Sequence, residues 1–218
     1  MAGPLQEFKT TIPGDAGAIE LACRTGVSPR AVAVIGHPHP LFGGTMDNKV
    51  VTTLARAMAA AGASAYRFNF RGVGKSEGSH DDGRGETQDM LAVISYVRGQ
   101  HPGLPLWLSG FSFGGAVALA AGAHAAANEM ILVAPAFERL AGWHVADGSA
   151  GVPESALVIH GENDETVLLA SSFDWARPRN VPVAVVPGAD HFFHQRLHLI
   201  RQIVGRWLSA GAVAGEEA

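Results

Sequence analysis

Seven short apolar runs recur along the chain: AIELAC (18–23), AVAVIG (31–36), ASAYRFNF (63–70), LPLWLSG (104–110), MILVAP (130–135), ALVIHG (156–161) and VPVAVV (181–186). They are nearly continuous and rich in Val, Ile, Leu and aromatics, which predicts strands buried on both faces. Between them the apolar spacing turns helical. MDNKVVTTLARAMAAAG (46–62) stops at Gly62, residues 86–98 carry Met90, Leu91, Ile94 and Val97 on one stripe, 113–127 is alanine-rich, and 194–208 is amphipathic. Strand alternating with helix implies right-handed crossovers, hence an α/β fold: a mostly parallel central sheet with helices on both faces. No repeat or linker divides the chain, so residues 1–218 are expected to form a single domain with a fraying tail from about 210.

Composition narrows the function classes. The 218 residues, 47% hydrophobic and 17% charged, suffice for a substantial core. A net charge of −4 advertises no basic surface for nucleic acid or anionic lipid. The single cysteine, Cys23, precludes an internal disulfide and reads as a small buried strand residue. The start MAGPLQEFKTT lacks a basic-then-apolar leader, and no apolar run reaches the ~18 residues of a membrane span. The expectation is a cytoplasmic protein.

One stretch invites a different reading. GVGKS (72–76) follows an apolar run and resembles the end of a phosphate loop. That loop needs a first glycine where Asn69 stands, and a helix opening at its Lys-Ser. Here Ser76 leads into the polar EGSHDDGRGE, whose Glu77, Asp81 and Asp82 repel phosphate. No nucleotide is expected; the glycines shape a loop leaving a strand.

The strongest chemical signal is GFSFGG (110–115), between a strand-like run and the alanine-rich helix. G-x-S-x-G in that setting is a nucleophile elbow, a sharp turn whose neighbours two positions away must lack bulk. Gly110 and Gly114 meet that need around Ser112. A serine hydroxyl needs a base, and the base an orienting acid, in the order Ser, acid, His, each beyond a later strand. After ALVIHG, the segment ENDETV offers Asp164 in a G-x-x-D-x-x-V setting, with Glu162 as fallback and Glu165 as a solvated flank. After VPVAVVPG, ADHFFH offers His191; Asp190, its sequence neighbour, points elsewhere.

These pieces, together with HPHPLFGGTMDNKV (37–50), FNFRGVGKSEG (68–78), HGENDETV (160–167) and GADHFF (188–193), resemble the α/β-hydrolases. Within them the chain is similar to small, nearly lidless serine hydrolases of the dienelactone-hydrolase and bacterial carboxylesterase type. The resemblance spans residues 37–193 in the family's order. It implies an α/β-hydrolase fold and a Ser112–His191–Asp164 triad. It also implies an oxyanion hole whose first donor is the backbone of Phe113. The second falls in VIGHPHPLFGG; Pro38 and Pro40 have no N–H, which leaves His39, then Leu41 or Phe42. The family's usual glycine after the first histidine is replaced here by Pro38.

The substrate walls are expected from Leu41, Phe42, Phe111, Phe192 and, in the segment between MILVAP and ALVIHG, Trp143. That segment is too short for a lid domain, so the site is expected to be open and shallow. His37 and His39 lack a third metal ligand, and His194 and His198 read as helix-surface residues. His160 ends a strand and is expected to pack or hydrogen-bond near the acid. The expected activity is hydrolysis of small to medium carboxylic esters without metal or cofactor. Thioester or amide cleavage is the alternative within enzymes, and a binding module on a hydrolase scaffold the alternative outside them. The sequence leaves the oligomeric state open.

Overall fold

The computed structural model describes residues 5–138 and 151–214. Eight strands form one sheet: β1 (Gln6–Gly14), β2 (Gly17–Thr25), β3 (Ala31–Gly36), β4 (Ala63–Phe68), β5 (Leu106–Phe111), β6 (Glu129–Val133), β7 (Ala156–Gly161) and β8 (Val183–Val186). Their spatial order is β1-β2-β4-β3-β5-β6-β7-β8. β1 and β2 pair antiparallel, β2 joins β4 antiparallel, and every pairing from β4 to β8 is parallel. The expected mostly parallel sheet is therefore present.

The helices are α1 (Lys49–Ala60), α2 (Arg84–Gln100), α3 (Phe113–Ala125), α4 (Leu169–Ala176) and α5 (Leu197–Ala214). Alternate residues of β3 serve opposite faces. Ala31, Ala33 and Ile35 pack with α1 and α5 through Leu54, Met58, Ile200 and Val204. Val32 and Val34 pack with α2 and α3 through Met90, Val93, Val117 and Leu119. Burial on both faces explains why the parallel strands read as continuous apolar runs. α1 begins where the Asn48 side chain accepts the Val50 N–H at 2.8 Å, an N-cap. No helix among the described residues is long and apolar enough to cross a membrane.

Two elements lie outside the pattern reading. β1 (QEFKTTIPG) buries only Ile12, and its polar side chains pair along the edge. Glu7 accepts from Arg24 and from the nearly buried Arg67, both at 2.5 Å, and Arg67 also reaches Asp47 at 2.6 Å. Charge on an edge strand discourages pairing with another chain. α4 spans only eight residues, too few for a periodic signal. It delivers Trp175, whose ring stacks on Phe137 at 4.4 Å.

The GVGKS loop is tied into the sheet. The Lys75 N–H donates to Glu20 Oε2 (2.9 Å), Ser76 Oγ donates to the Asn69 carbonyl (2.6 Å) and accepts the Glu20 N–H (2.9 Å). Gly72 and Gly74 adopt φ of 74° and 59°, the left-handed region. Arg71 turns to α2, where its Nη2 donates to Asp89 Oδ1 at 2.8 Å.

Candidate active site

Ligands in open parallel sheets bind beyond the carboxyl ends of the strands. At these ends β5 delivers Ser112, β7 delivers Asp164 and β8 delivers His191. Ser112 sits at φ 55°, ψ −120°, between β5 and the first residue of α3. A non-glycine residue held there costs about 1–3 kcal/mol, so the surroundings must over-determine it. They do. Its N–H donates to the Val133 carbonyl (2.9 Å), and its own carbonyl accepts the N–H groups of Gly115 (2.9 Å) and Ala136 (3.1 Å).

The flanking glycines are required by space. A Cβ on Gly110 would lie 2.0 Å from the Gly114 carbonyl oxygen, and one on Gly114 would lie 2.4 Å from the Gly36 backbone. The strand end of β3 is thus pressed against the elbow, and carries the 37–44 loop to the serine.

The structure brings Ser112, His191 and Asp164 into one hydrogen-bonded row. His191 Nδ1 lies 2.7 Å from Asp164 Oδ2, and His191 Nε2 lies 3.0 Å from Ser112 Oγ. A carboxylate only accepts, so Nδ1 carries the proton and Nε2 offers its lone pair to the serine O–H. All three residues are nearly buried. Phe111 lies beneath the His191 ring at 4.8 Å, which limits its tilt.

Asp164 is held from every side. Its Oδ1 accepts the N–H groups of Thr166 (2.9 Å) and Val167 (2.8 Å). Its Oδ2 faces His191 and also His160 Nε2, 3.3 Å away. Burial alone would raise its pKa; the bonds from His160, His191 and the Val167 N–H outweigh that and hold the carboxyl well below the usual carboxylate range. His160 is fully buried, with Nε2 2.9 Å from the Val167 carbonyl and Nδ1 2.7 Å from Ser172 Oγ. A carbonyl only accepts, so Nε2 bears the proton and Ser172 donates to Nδ1. His160 therefore does bond near the acid, as expected.

The 37–44 loop is braced by a second buried histidine. His37 Nδ1 donates to the Pro38 carbonyl (2.6 Å), and Nε2 accepts the Phe70 N–H (3.0 Å). Burial pushes its pKa down to about 4, so it is neutral at pH 7. The His39 ring packs against Phe42 (4.7 Å), His80 (4.8 Å) and Phe113 (4.8 Å).

Two clefts meet at Ser112. One, of about 160 Å³, is lined by His39, Phe42, Phe113, Glu138, Thr166 and Val167. The other, of about 120 Å³, is lined by Phe42, Gly43, Asn48, His191 and Phe192, again with His39.

Comparison with known proteins gives the family and the fold. Residues 28–153, more than half the chain, match the family described as Serine aminopeptidase, S33. The chain belongs to that family of α/β-hydrolases. A lidless α/β serine hydrolase of Xanthomonas campestris is 36% identical, with a TM-score of 0.85 over 95% of this chain and 96% of that one. An α/β serine hydrolase homologue of Coxiella burnetii is 37% identical, with a TM-score of 0.83 over 91% of this chain and 96% of that one. An uncharacterised protein of Rickettsia prowazekii is 30% identical over 207 residues, 89% of this chain and 86% of its own.

In this hydrolase the remaining expected wall residues divide. Phe42 and Phe192 line the clefts. Phe111 does not: it is fully buried and supports His191 from below. Leu41 is 69% exposed and lines neither cleft, because the turn at residues 40–42 aims it outward. Trp143 lies outside the described residues. His194 pairs with Asp190 at 2.6 Å, so that carboxylate does face away from His191. The sequence reading missed Glu138, Thr166, Val167 and His80. Thr166 and Val167 had a signal, since they directly follow the acid. Glu138 and His80 had none; they reach the site only through the path of distant loops. His80 Nδ1 lies 2.8 Å from Oε1 of the fully buried Glu86, which anchors it beside His39.

Proposed function

We propose that this hydrolase cleaves carboxylic esters through an acyl-enzyme on Ser112. The observation that carries the reading is the Ser112–His191–Asp164 row, with bonds of 3.0 and 2.7 Å, at an elbow open to two clefts. His191 Nε2 takes the Ser112 proton as Oγ attacks the carbonyl carbon. The developing oxyanion is held by the backbone N–H of Phe113 and that of His39, both on cleft walls. As the bond to the leaving oxygen breaks, His191 returns the proton to that oxygen and the alcohol departs. Water then attacks the acyl-enzyme, giving its proton to His191, which hands it back to Ser112 as the acid leaves. Asp164 fixes the imidazole tautomer and stabilises the imidazolium. The lidless relative, similar over nearly its whole length, supports an open site for small or medium substrates.

Amide or peptide cleavage is the second reading. The family's description as a serine aminopeptidase favours it, and so does the exposed Glu138 carboxylate in the cleft, which suits a substrate ammonium. Matched p-nitrophenyl esters, thioesters, anilides and aminoacyl anilides separate the readings. Ester turnover far above anilide turnover, absent in Ser112→Ala, is expected. Turnover confined to aminoacyl anilides would replace the ester reading.

A further inference from the structure

A third hollow, of about 390 Å³, lies between the start of α1 and residues 192–197. Its walls include Thr45, Lys49, Gln195 and Leu197, and it shares Gly43, Asn48 and Phe192 with the cleft lined by His191. The two hollows therefore adjoin at Gly43, Asn48 and Phe192, on a line from Ser112 to the N-terminal end of α1. Nothing lies within 4 Å of where a Cβ on Gly43 would stand, so the groove is open at that wall.

Chemistry decides which part of a substrate this groove takes. The group that donates a proton to the leaving oxygen must lie within hydrogen-bond reach of it. Of the two clefts described at Ser112, the one lined by His191 shares walls with the 390 Å³ hollow and the other shares none. The other carries Phe113, Glu138 and Val167, and His191 is not among its wall residues. The near part of the groove is walled by Pro38, Phe42 and Phe192, the far part by the polar or charged Thr45, Asp47, Lys49, His194 and Gln195, with Asn48 on both.

Resting on the ester reading above, we infer that the groove past Phe192 is the leaving-group site, and that the hydrolase acts on esters of an extended alcohol. The alcohol's near portion is apolar and its far end carries a hydrogen-bonding group. The acyl group occupies the cleft beside Phe113 and Val167.

The test is two ester series with the intact enzyme: one acyl group with alcohols from methyl to hexyl and 6-hydroxyhexyl, and methyl esters of lengthening acids. One methylene in a closely fitted hydrophobic pocket is worth about 10- to 200-fold in kcat/KM, and less along an open groove. From methyl to hexyl a rise of roughly tenfold or more is expected, with 6-hydroxyhexyl above hexyl. Thr45→Trp and Lys49→Trp, on separate parts of the far wall, should each lower the hexyl-to-methyl ratio of kcat/KM. A flat alcohol series in an enzyme that cleaves the methyl ester would overturn the groove assignment and leave the ester reading standing. So would hexyl-to-methyl ratios unchanged in both variants. An alcohol series below methyl beside a rising acid series would reverse the assignment. No Ser112-dependent ester turnover at all would overturn both.

Discussion

His160 Nε2 lies 3.3 Å from Asp164 Oδ2, the same oxygen that meets His191 Nδ1 at 2.7 Å. The acid is thus gripped by two imidazoles, one facing the serine and one facing Ser172. In the proposed mechanism His160 is a positioning residue. The one Nε2–H is shared with the nearer Val167 carbonyl, so it supplies only part of the about 1.5–3 kcal/mol of a full bond to a charged group, and His160→Gln should lower kcat by roughly 10-fold. KM should hardly move, since His160 lines neither cleft at Ser112. Rates normalised to the fluorophosphonate-titratable fraction separate this from misfolding. A normalised kcat equal to wild type would leave His160 only a packing role. Asp164→Asn, which removes the acceptor itself, should cost roughly 10⁴-fold in kcat.

His37 gives stability a pH dependence of known sign. Its folded pKa of about 4 lies below the ordinary imidazole value of 6.5, because burial penalises the charged form. Between those values the unfolded chain binds a proton that the folded chain refuses, so stability falls as pH drops from 6.5 to 4 and changes no further below. The full effect is about 3 kcal/mol. Urea unfolding at several pH values should show this slope in wild type and a shallower one in His37→Gln. The variant should also be less stable at pH 7, because the Pro38 carbonyl and the Phe70 N–H lose their partner. Equal slopes would contradict a neutral, buried His37.

The elbow stores strain that glycine would relieve. Ser112 sits at φ 55°, so Ser112→Gly should melt higher than Ser112→Ala, by an amount corresponding to about 1 kcal/mol. Neither variant has a nucleophile, so calorimetry on the pair reads backbone strain net of the extra unfolded-chain entropy of glycine. Gly114→Ala should act oppositely. Its Cβ would stand 2.4 Å from the Gly36 backbone, and overpacking of that kind costs about 1–3 kcal/mol and displaces the serine. Unchanged activity and melting in Gly114→Ala would contradict the close approach of β3 to the elbow.

The parallel strands and the Ser-Asp-His order were legible in the chain because each has a local cause. Strands covered on both faces become unbroken apolar runs, and each candidate residue follows such a run by a few positions. β1 was hidden because only Ile12 of its residues is buried, so neither alternation nor an apolar run marks it. α4 was hidden by its length. Phe111 looked like a wall residue because an aromatic beside a nucleophile suits either role. Only the register of β5 shows that it points under His191. GVGKS misled because glycines at positive φ and a Lys-Ser pair serve a braced turn as well as a phosphate. The Lys75 N–H meets Glu20 instead. Arg71 reaches α2, where Asp89 receives it.

The most direct test of the central claim is covalent. Wild-type protein incubated with a fluorophosphonate should gain one adduct, located by peptide mass spectrometry on Ser112, with turnover lost in proportion. Ser112→Ala should gain none and cleave no ester. Labelling that persists in Ser112→Ala, or ester turnover that survives the substitution, would contradict Ser112 as the nucleophile.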